Sequence, residues 1–156
     1  NGKGAASPGN GAEPVDYGPL DQWLGFNLRL AQTASFASFA RLSKEVGERP
    51  GRMAMLRLIA QNPGISQTAL SRANGRDKST LTPLLTDFAR RGLVRRTRTR
   101  NDKRTYRLTL TPAGERLLAQ LHACAQVHER QLDEVIGPRD RVRFLAILRK
   151  IAAEMA

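Results

Sequence analysis

The 156-residue chain predicts a mainly α-helical fold with one small β-hairpin. Three observations carry that expectation. Lys78 to Arg91 sets Leu81, Leu84, Leu85 and Phe88 at i, i+3, i+4 and i+7, the spacing of one helix face. A shorter helix, Gln67 to Ala73, stands just before it across the turn Ala73-Asn74-Gly75. Two alternating runs, Leu93 to Thr99 and Thr105 to Leu110, then flank the polar stretch Arg100 to Arg104, as in a hairpin. Two short helices joined through a glycine turn and followed by a hairpin form a winged helix-turn-helix pattern. Longer helices flank it at both ends.

Each element has its own reason. Residues 1–19 are Gly, Ser, Pro, Ala and Asn in the main, too poor in apolar surface to order, and are expected to be a disordered tail. Its Gly2-Lys3-Gly4 is no phosphate loop, because neither the preceding strand nor the following Ser or Thr is there. Leu20 to Val46 reads as one long helix. Trp23, Leu24, Leu28, Ala31, Ser35 and Phe39 recur at helical spacing, while Phe26, Leu30, Phe36 and Ala40 fall on other sides. A helix apolar on more than one face must be covered on more than one face, either by core alone or by core and a second subunit.

Gly47 to Gly51 breaks the pattern, and Arg52 to Gln61 is a second helix with Met53, Leu56, Ile59 and Ala60 on one side. Asn62-Pro63-Gly64 ends it. Ser66 is the N-cap of the short helix, which turns Leu70 inward. Gly75 supplies a positive φ, Asp77 caps the next helix and Gly92 terminates it. Thr111 caps, and Pro112 opens, a long helix to about Ile136. Gly137-Pro138 breaks the chain before a last helix carrying Val142, Leu145, Leu148, Ile151 and Met155. The expected divisions are therefore a tail, 1–19, a flanking region, 20–48, the winged module, 49–111, and a second flanking region, 112–156.

Charge narrows the partner. Lys plus Arg number 26 against 14 Asp plus Glu, a formal net charge of +12. That imbalance argues for a polyanion, with a membrane surface as the rival to nucleic acid. No apolar run approaches the roughly 18 residues a spanning helix needs, and no secretory leader pattern is present. The single cysteine, Cys124, excludes an internal disulfide framework, and a reducing cytoplasm fits best.

With its leucines turned to the core, the helix Lys78 to Arg91 presents Lys78, Ser79, Thr82, Thr86 and Arg90 on the other side, with Thr80 and Pro83 beside them. These are short polar groups on a helix thin enough for the major groove of double-stranded DNA. The hairpin gathers Arg95, Arg96, Arg98, Arg100, Lys103, Arg104 and Arg107 against one acid, Asp102. Such crowded like charges repel, and a phosphate lattice relieves that cost. The expected placement is a wing along the minor groove, Arg104 inserted, with Arg98, Arg100 and Lys103 on phosphates and Asp102 holding an arginine in place.

No nucleophile elbow, paired-carboxylate pattern or metal-ligand spacing is present, so no enzyme, cofactor or metal site is expected. Cys124 and His128 are i, i+4, half a metal site with no third or fourth ligand. Cys124 sits among Leu121, Ala123 and Ala125 and reads as an inert packed thiol, a redox switch being the alternative. His122 reads as a core or pocket residue.

"DKRTYRLTLTPAG" resembles the wing signature of the MarR family, an Asp-x-Arg, a strand, then Leu-Thr-x-x-Gly: here Asp102, Arg104, Leu110, Thr111 and Gly114. "RDKSTLTPLLTDFARRGLVRR" resembles that family's recognition helix and the start of its wing, and the element order matches from Leu20 to Met155. The resemblance implies a homodimer made by the first and last helices, bound to a palindromic operator. It also implies release by a small aromatic or phenolic anion seated between the dimer helices and the winged module. "LGFNLRLAQTASF", Leu24 to Phe36, resembles the first helix of repressors of aromatic-acid catabolism, some of which respond to hydroxycinnamoyl-coenzyme A thioesters.

Trp23, Phe26, Phe36 and Phe39 are the candidate ring-stacking residues, Arg29 and Arg41 the candidate anion partners and His122 a further pocket residue. Packing alone also accounts for the aromatics. Pro83 departs from the basic residue common at that place; a comparable Thr-Pro occurs in the family's organic-peroxide sensors, whose first-helix cysteine this chain lacks. A DNA-binding module without an effector is the remaining alternative.

Overall fold

The computed structural model describes residues 13–99 and 102–155, the side chains of 99 and 102–105 excepted. The chain divides into two units, residues 1–35 and 36–156.

In the first unit a 3-10 turn, Gly18–Gln22, precedes α1, Leu24–Leu42, which runs on into the second unit. The single helix expected from Leu20 to Val46 is therefore corrected at both ends. Pro19 suits the opening of the 3-10 turn, and Trp23 is extended at ψ 120, so the helix restarts at Leu24. The Asn27 amide then donates to the carbonyls of Asp21 and Trp23, both at 2.9 Å, at that break. At the other end Gly47 takes φ +74 and the Ser43 hydroxyl lies 3.0 Å from the Phe39 carbonyl and 2.8 Å from that of Glu48.

The second unit continues with α2, Pro50–Gln61, β1, Ile65–Ser66, α3, Gln67–Asn74, and α4, Lys78–Arg90. Then come β2, Val94–Thr99, β3, Asp102–Leu110, α5, Pro112–Ile136, and α6, Arg141–Glu154. The sheet is antiparallel in the order β1-β3-β2. The two residues of β1 are too few to show alternation in the sequence; Ile65 pairs with Leu108 and Ser66 with Arg107. β3 also starts earlier than Thr105, because a register shift after Arg98 pairs Thr99 with Asp102 and shortens the expected turn.

The core joins these elements with the exception of α6, which has no buried residue. Met55, Leu56 and Ile59 of α2 meet Leu70, Leu81, Leu85 and Phe88 of the helix pair, Leu93, Val94 and Leu108 of the sheet, and Leu118 and Leu121 of α5, with Phe39. Met53 and Leu84, expected inside, are only half-buried. On α5 the inward face is Leu118, Leu121, Ala125 and His128, so His122 is off that face and exposed, and His128 is the buried histidine, edge-on to Phe39 at 5.7 Å. Among the described residues no helix is long and apolar enough to cross a membrane.

Candidate nucleic-acid interface

The helix-turn-helix is built by caps. The Ser66 hydroxyl accepts from the Ala69 amide at 3.2 Å, opening α3. Gly75 closes it in the left-handed region at φ +61, where a side chain would be strained. The Asp77 carboxylate then accepts from the Thr80 amide and the Ser79 hydroxyl, both at 2.7 Å, opening α4. Those bonds, that of Ser79 first, hold the Asp77 carboxyl at about 2, below the usual carboxylate value.

With Leu81, Leu85 and Phe88 buried, α4 exposes Lys78, Ser79, Thr80, Thr82, Pro83, Thr86 and Arg90 along its outer side. Pro83 lies inside the helix and has no N–H to give the Ser79 carbonyl. Thr82 is not a free hydroxyl. It donates to the Lys78 carbonyl at 2.7 Å and accepts from the Gln67 amide at 2.7 Å. Gln67 carries no sequence signal, since a helix-opening glutamine is common; only the approach of α3 to α4 reveals it.

Below α4 lies an ion-pair cluster. Asp87 bonds Arg90 at 2.8 Å and Arg52 of α2 at 2.7 Å, with Arg91 at 3.4 Å. These arginines, Arg90 foremost, hold its carboxyl at about 2. Glu48, buried in the loop before α2, pairs with Arg91 and, at 3.4 Å, with Arg52. Burial opposes the Arg91 charge, but its bonds to Glu48 and Asp87 outweigh that and raise its pKa.

In the wing, Tyr106 organises two arginines. Arg96 lies 4.5 Å over its ring, and the Nε of Arg98 donates to its hydroxyl at 3.3 Å. The Arg98 bond first, then the two positive charges, lowers the Tyr106 pKa. Arg107 turns the other way and donates to the Gly64 carbonyl at 3.2 Å. Arg98 is exposed. Arg100 lies outside the described residues, and the side chains of Asp102, Lys103 and Arg104 do too, although their backbones begin β3.

A groove of about 780 Å³ opens elsewhere on the second unit. Phe36, Ala37, Ala40 and Leu84 give it apolar walls, and Arg49, Arg52 and Arg76 supply cations. The Arg76 guanidinium crosses Gly51 so closely that a Cβ there would lie 2.8 Å from it. Among the described residues neither Arg49 nor Arg76 has an ion-pair partner.

Of the second-unit residues marked from sequence for a small molecule, Phe36 lines this groove. Phe39 is buried in the core, and Arg41 and His122 are exposed. In the first unit Trp23 is 60 % exposed, while Phe26 packs on Tyr17 at 5.4 Å and under Arg29 at 5.0 Å. The Cys124 thiol is half-buried and 3.4 Å from the Leu42 carbonyl.

A capped helix pair with an exposed polar second helix, closed by an arginine-bearing three-stranded sheet, defines a winged helix-turn-helix DNA-binding protein. The MarR family model matches residues 50–106. A Thauera aromatica protein, assigned as a transcriptional regulatory protein for the hcr operon, is 32 % identical over 136 residues, 86 % of this chain and 82 % of that one. The repressor CouR bound to a 23-mer DNA duplex superposes with a TM-score of 0.82 at 32 % identity, over 90 % of this chain and 99 % of CouR. CouR bound to p-coumaroyl-CoA gives a TM-score of 0.82 at 31 % identity over the same shares. The chain belongs to the MarR family and is a winged-helix transcriptional repressor of that type.

Proposed function

We propose that two copies of this chain bind a palindromic operator and leave it when an aromatic carboxylate or aromatic acyl-coenzyme A thioester binds. The outer side of α4 carries the DNA part of the reading: seven exposed polar, cationic or proline positions on a capped helix. Lys78, Ser79, Thr80, Thr82, Pro83 and Thr86 face the major groove. Arg98, Arg100, Lys103 and Arg104 line the minor groove and its phosphates, with Asp102 as the wing's support.

Exposed apolar side chains support the dimer. Val142, Phe144 and Ile147 are uncovered on α6, and Trp23, Leu24 and Leu28 are uncovered in the first unit. The CouR complex with p-coumaroyl-CoA supports the effector class. The groove has the matching chemistry: Phe36 and Leu84 for a ring, and Arg49, Arg52 and Arg76 for a carboxylate or phosphate. Trp23, Phe26, Arg29, Arg41 and His122 are the further residues assigned to the effector, and Phe39 acts through the core.

The test is a mobility-shift titration on the chain's own promoter, repeated with p-coumaroyl-CoA and a panel of aromatic acids. Light scattering of the same material reads the mass. A retarded duplex released by one ligand, from a particle of two chains, is expected. A monomer, or a duplex complex indifferent to every ligand, overturns the corresponding part.

A further inference from the structure

Thr82 sits on the exposed side of the helix assigned to the major groove, yet its hydroxyl is already committed. It has one hydrogen, and that hydrogen points to the Lys78 carbonyl at 2.7 Å. Were it turned elsewhere, two oxygen lone pairs would face each other at that distance. The oxygen can then only accept from Gln67, 2.7 Å away, which fixes which end of that amide faces it. Two lone pairs less one leaves a single acceptor site open to solvent. Ser79 follows the same logic, its hydrogen being spent on the Asp77 carboxylate at 2.7 Å.

We infer that Thr82 reads DNA as an acceptor only, selecting the exocyclic amino groups of adenine or cytosine, because the Lys78 carbonyl holds its one hydrogen while Gln67 fills one lone pair and leaves the other facing outward. A free threonine hydroxyl would instead serve either acceptors or donors on a base edge. The inference rests on the reading that α4 enters the major groove. Gln67 is a positioning residue here: half-buried at the start of α3, it acts through the hydroxyl it holds.

Each base pair offers an amino donor and ring or carbonyl acceptors in the major groove, so base identity alone does not separate the two polarities. Base analogues do. Duplexes are first enriched from a random library with the wild type and with Thr82→Val, an exposed isosteric change. The pair whose preference disappears in Thr82→Val is the one Thr82 reads. At that pair, purine for adenine or pyrimidinone for cytosine removes the amino group, while a 7-deazapurine removes the N7 acceptor.

Removing the amino group is expected to weaken wild-type binding about tenfold, the worth of one hydrogen bond left unmade. The penalty should vanish in Thr82→Val and persist in Thr82→Ser. In Gln67→Met the hydrogen stays on the Lys78 carbonyl and only a lone pair is freed, so the amino-group penalty should persist and no 7-deaza penalty should appear. A wild-type 7-deaza penalty that Thr82→Val abolishes overturns the inference, as does enrichment in which Thr82→Val changes no position. Failure of the wild type to enrich any duplex overturns the major-groove reading itself, and is distinguishable from both.

Discussion

Gly114 lies so close beneath the Leu93 carbonyl that a Cβ added to it would stand 2.1 Å from that oxygen. This close approach gives the Leu-Thr-x-x-Gly signature its physical reason. The Thr111 amide donates to the same Leu93 carbonyl at 3.0 Å, and its hydroxyl donates to the Gly92 carbonyl at 2.6 Å. The Thr111 oxygen in turn accepts from the Gly114 amide at 3.1 Å as the cap of α5. The end of the recognition helix, the first wing strand and the long helix thus meet at one backbone junction.

Gly114→Ala should therefore cost more than an ordinary helix substitution. Alanine normally favours a helix over glycine, but here the new methyl meets backbone that cannot rotate away. A loss of about 3 kcal/mol in urea unfolding is expected, at the upper end for overpacking. Thr111→Ala should cost about 1 kcal/mol, the usual worth of a cap. Equal stability of Gly114→Ala and wild type would show that the junction is loose.

Acid should loosen the recognition helix through two carboxylates. Asp77 and Asp87 are each held near 2, below their unfolded value of 3.8. A depressed folded pKa gives stability that is complete above the unfolded value and lost as pH falls through the folded one. The window is therefore from about 4 down to about 2. Asp77→Asn keeps a capping side chain but removes the titration, so it should narrow the gap between urea midpoints at pH 5 and pH 2.5. Asp87→Asn should narrow it as well. A gap as wide as that of the wild type in both variants would place the acid sensitivity elsewhere.

Much of this architecture was legible along the chain because it is written locally. Ser66, Asp77 and Thr111 announced three helix starts, and Leu81, Leu85 and Phe88 the inner face of α4. Local rules fail where a partner decides. Leu84 has the spacing of a core residue yet borders the groove, and β1 exists only because β3 pairs with it. The 3-10 turn at Pro19 and the restart at Leu24 interrupt an apolar pattern that by itself continues.

The groove cations escaped because Arg49, Arg52 and Arg76 are scattered in sequence and converge only through the fold. Tyr106 escaped because an aromatic in a strand reads as packing until Arg96 and Arg98 are seen around it.

Arg52 ties the proposed effector groove to the recognition helix. It lines the groove, bonds Asp87 at 2.7 Å and lies 5.6 Å over the Phe88 ring. An anion that draws Arg52 toward the groove weakens its hold on Asp87, so ligand and Asp87 compete for one guanidinium. Asp87→Asn should still bind p-coumaroyl-CoA in calorimetry, yet lose at least part of the ligand-driven release of DNA. Release as complete as in the wild type would mean that the coupling bypasses this pair.

The wing offers a separate test, because charge and positioning have different signatures in salt. Removing one cation from a phosphate should lower the slope of log affinity against log salt by about 0.9. Arg98→Ala removes a cation, so both affinity and slope should fall. Tyr106→Phe keeps every charge and the ring beneath Arg96, removing only the oxygen to which Arg98 donates. Its slope should match the wild type, while affinity falls about threefold as Arg98 loses its anchor, less than a full hydrogen bond is worth. An unchanged slope in Arg98→Ala would take that arginine off the phosphates. A reduced slope in Tyr106→Phe would mean that the hydroxyl does more than position its neighbour, since a neutral group releases no counterion of its own.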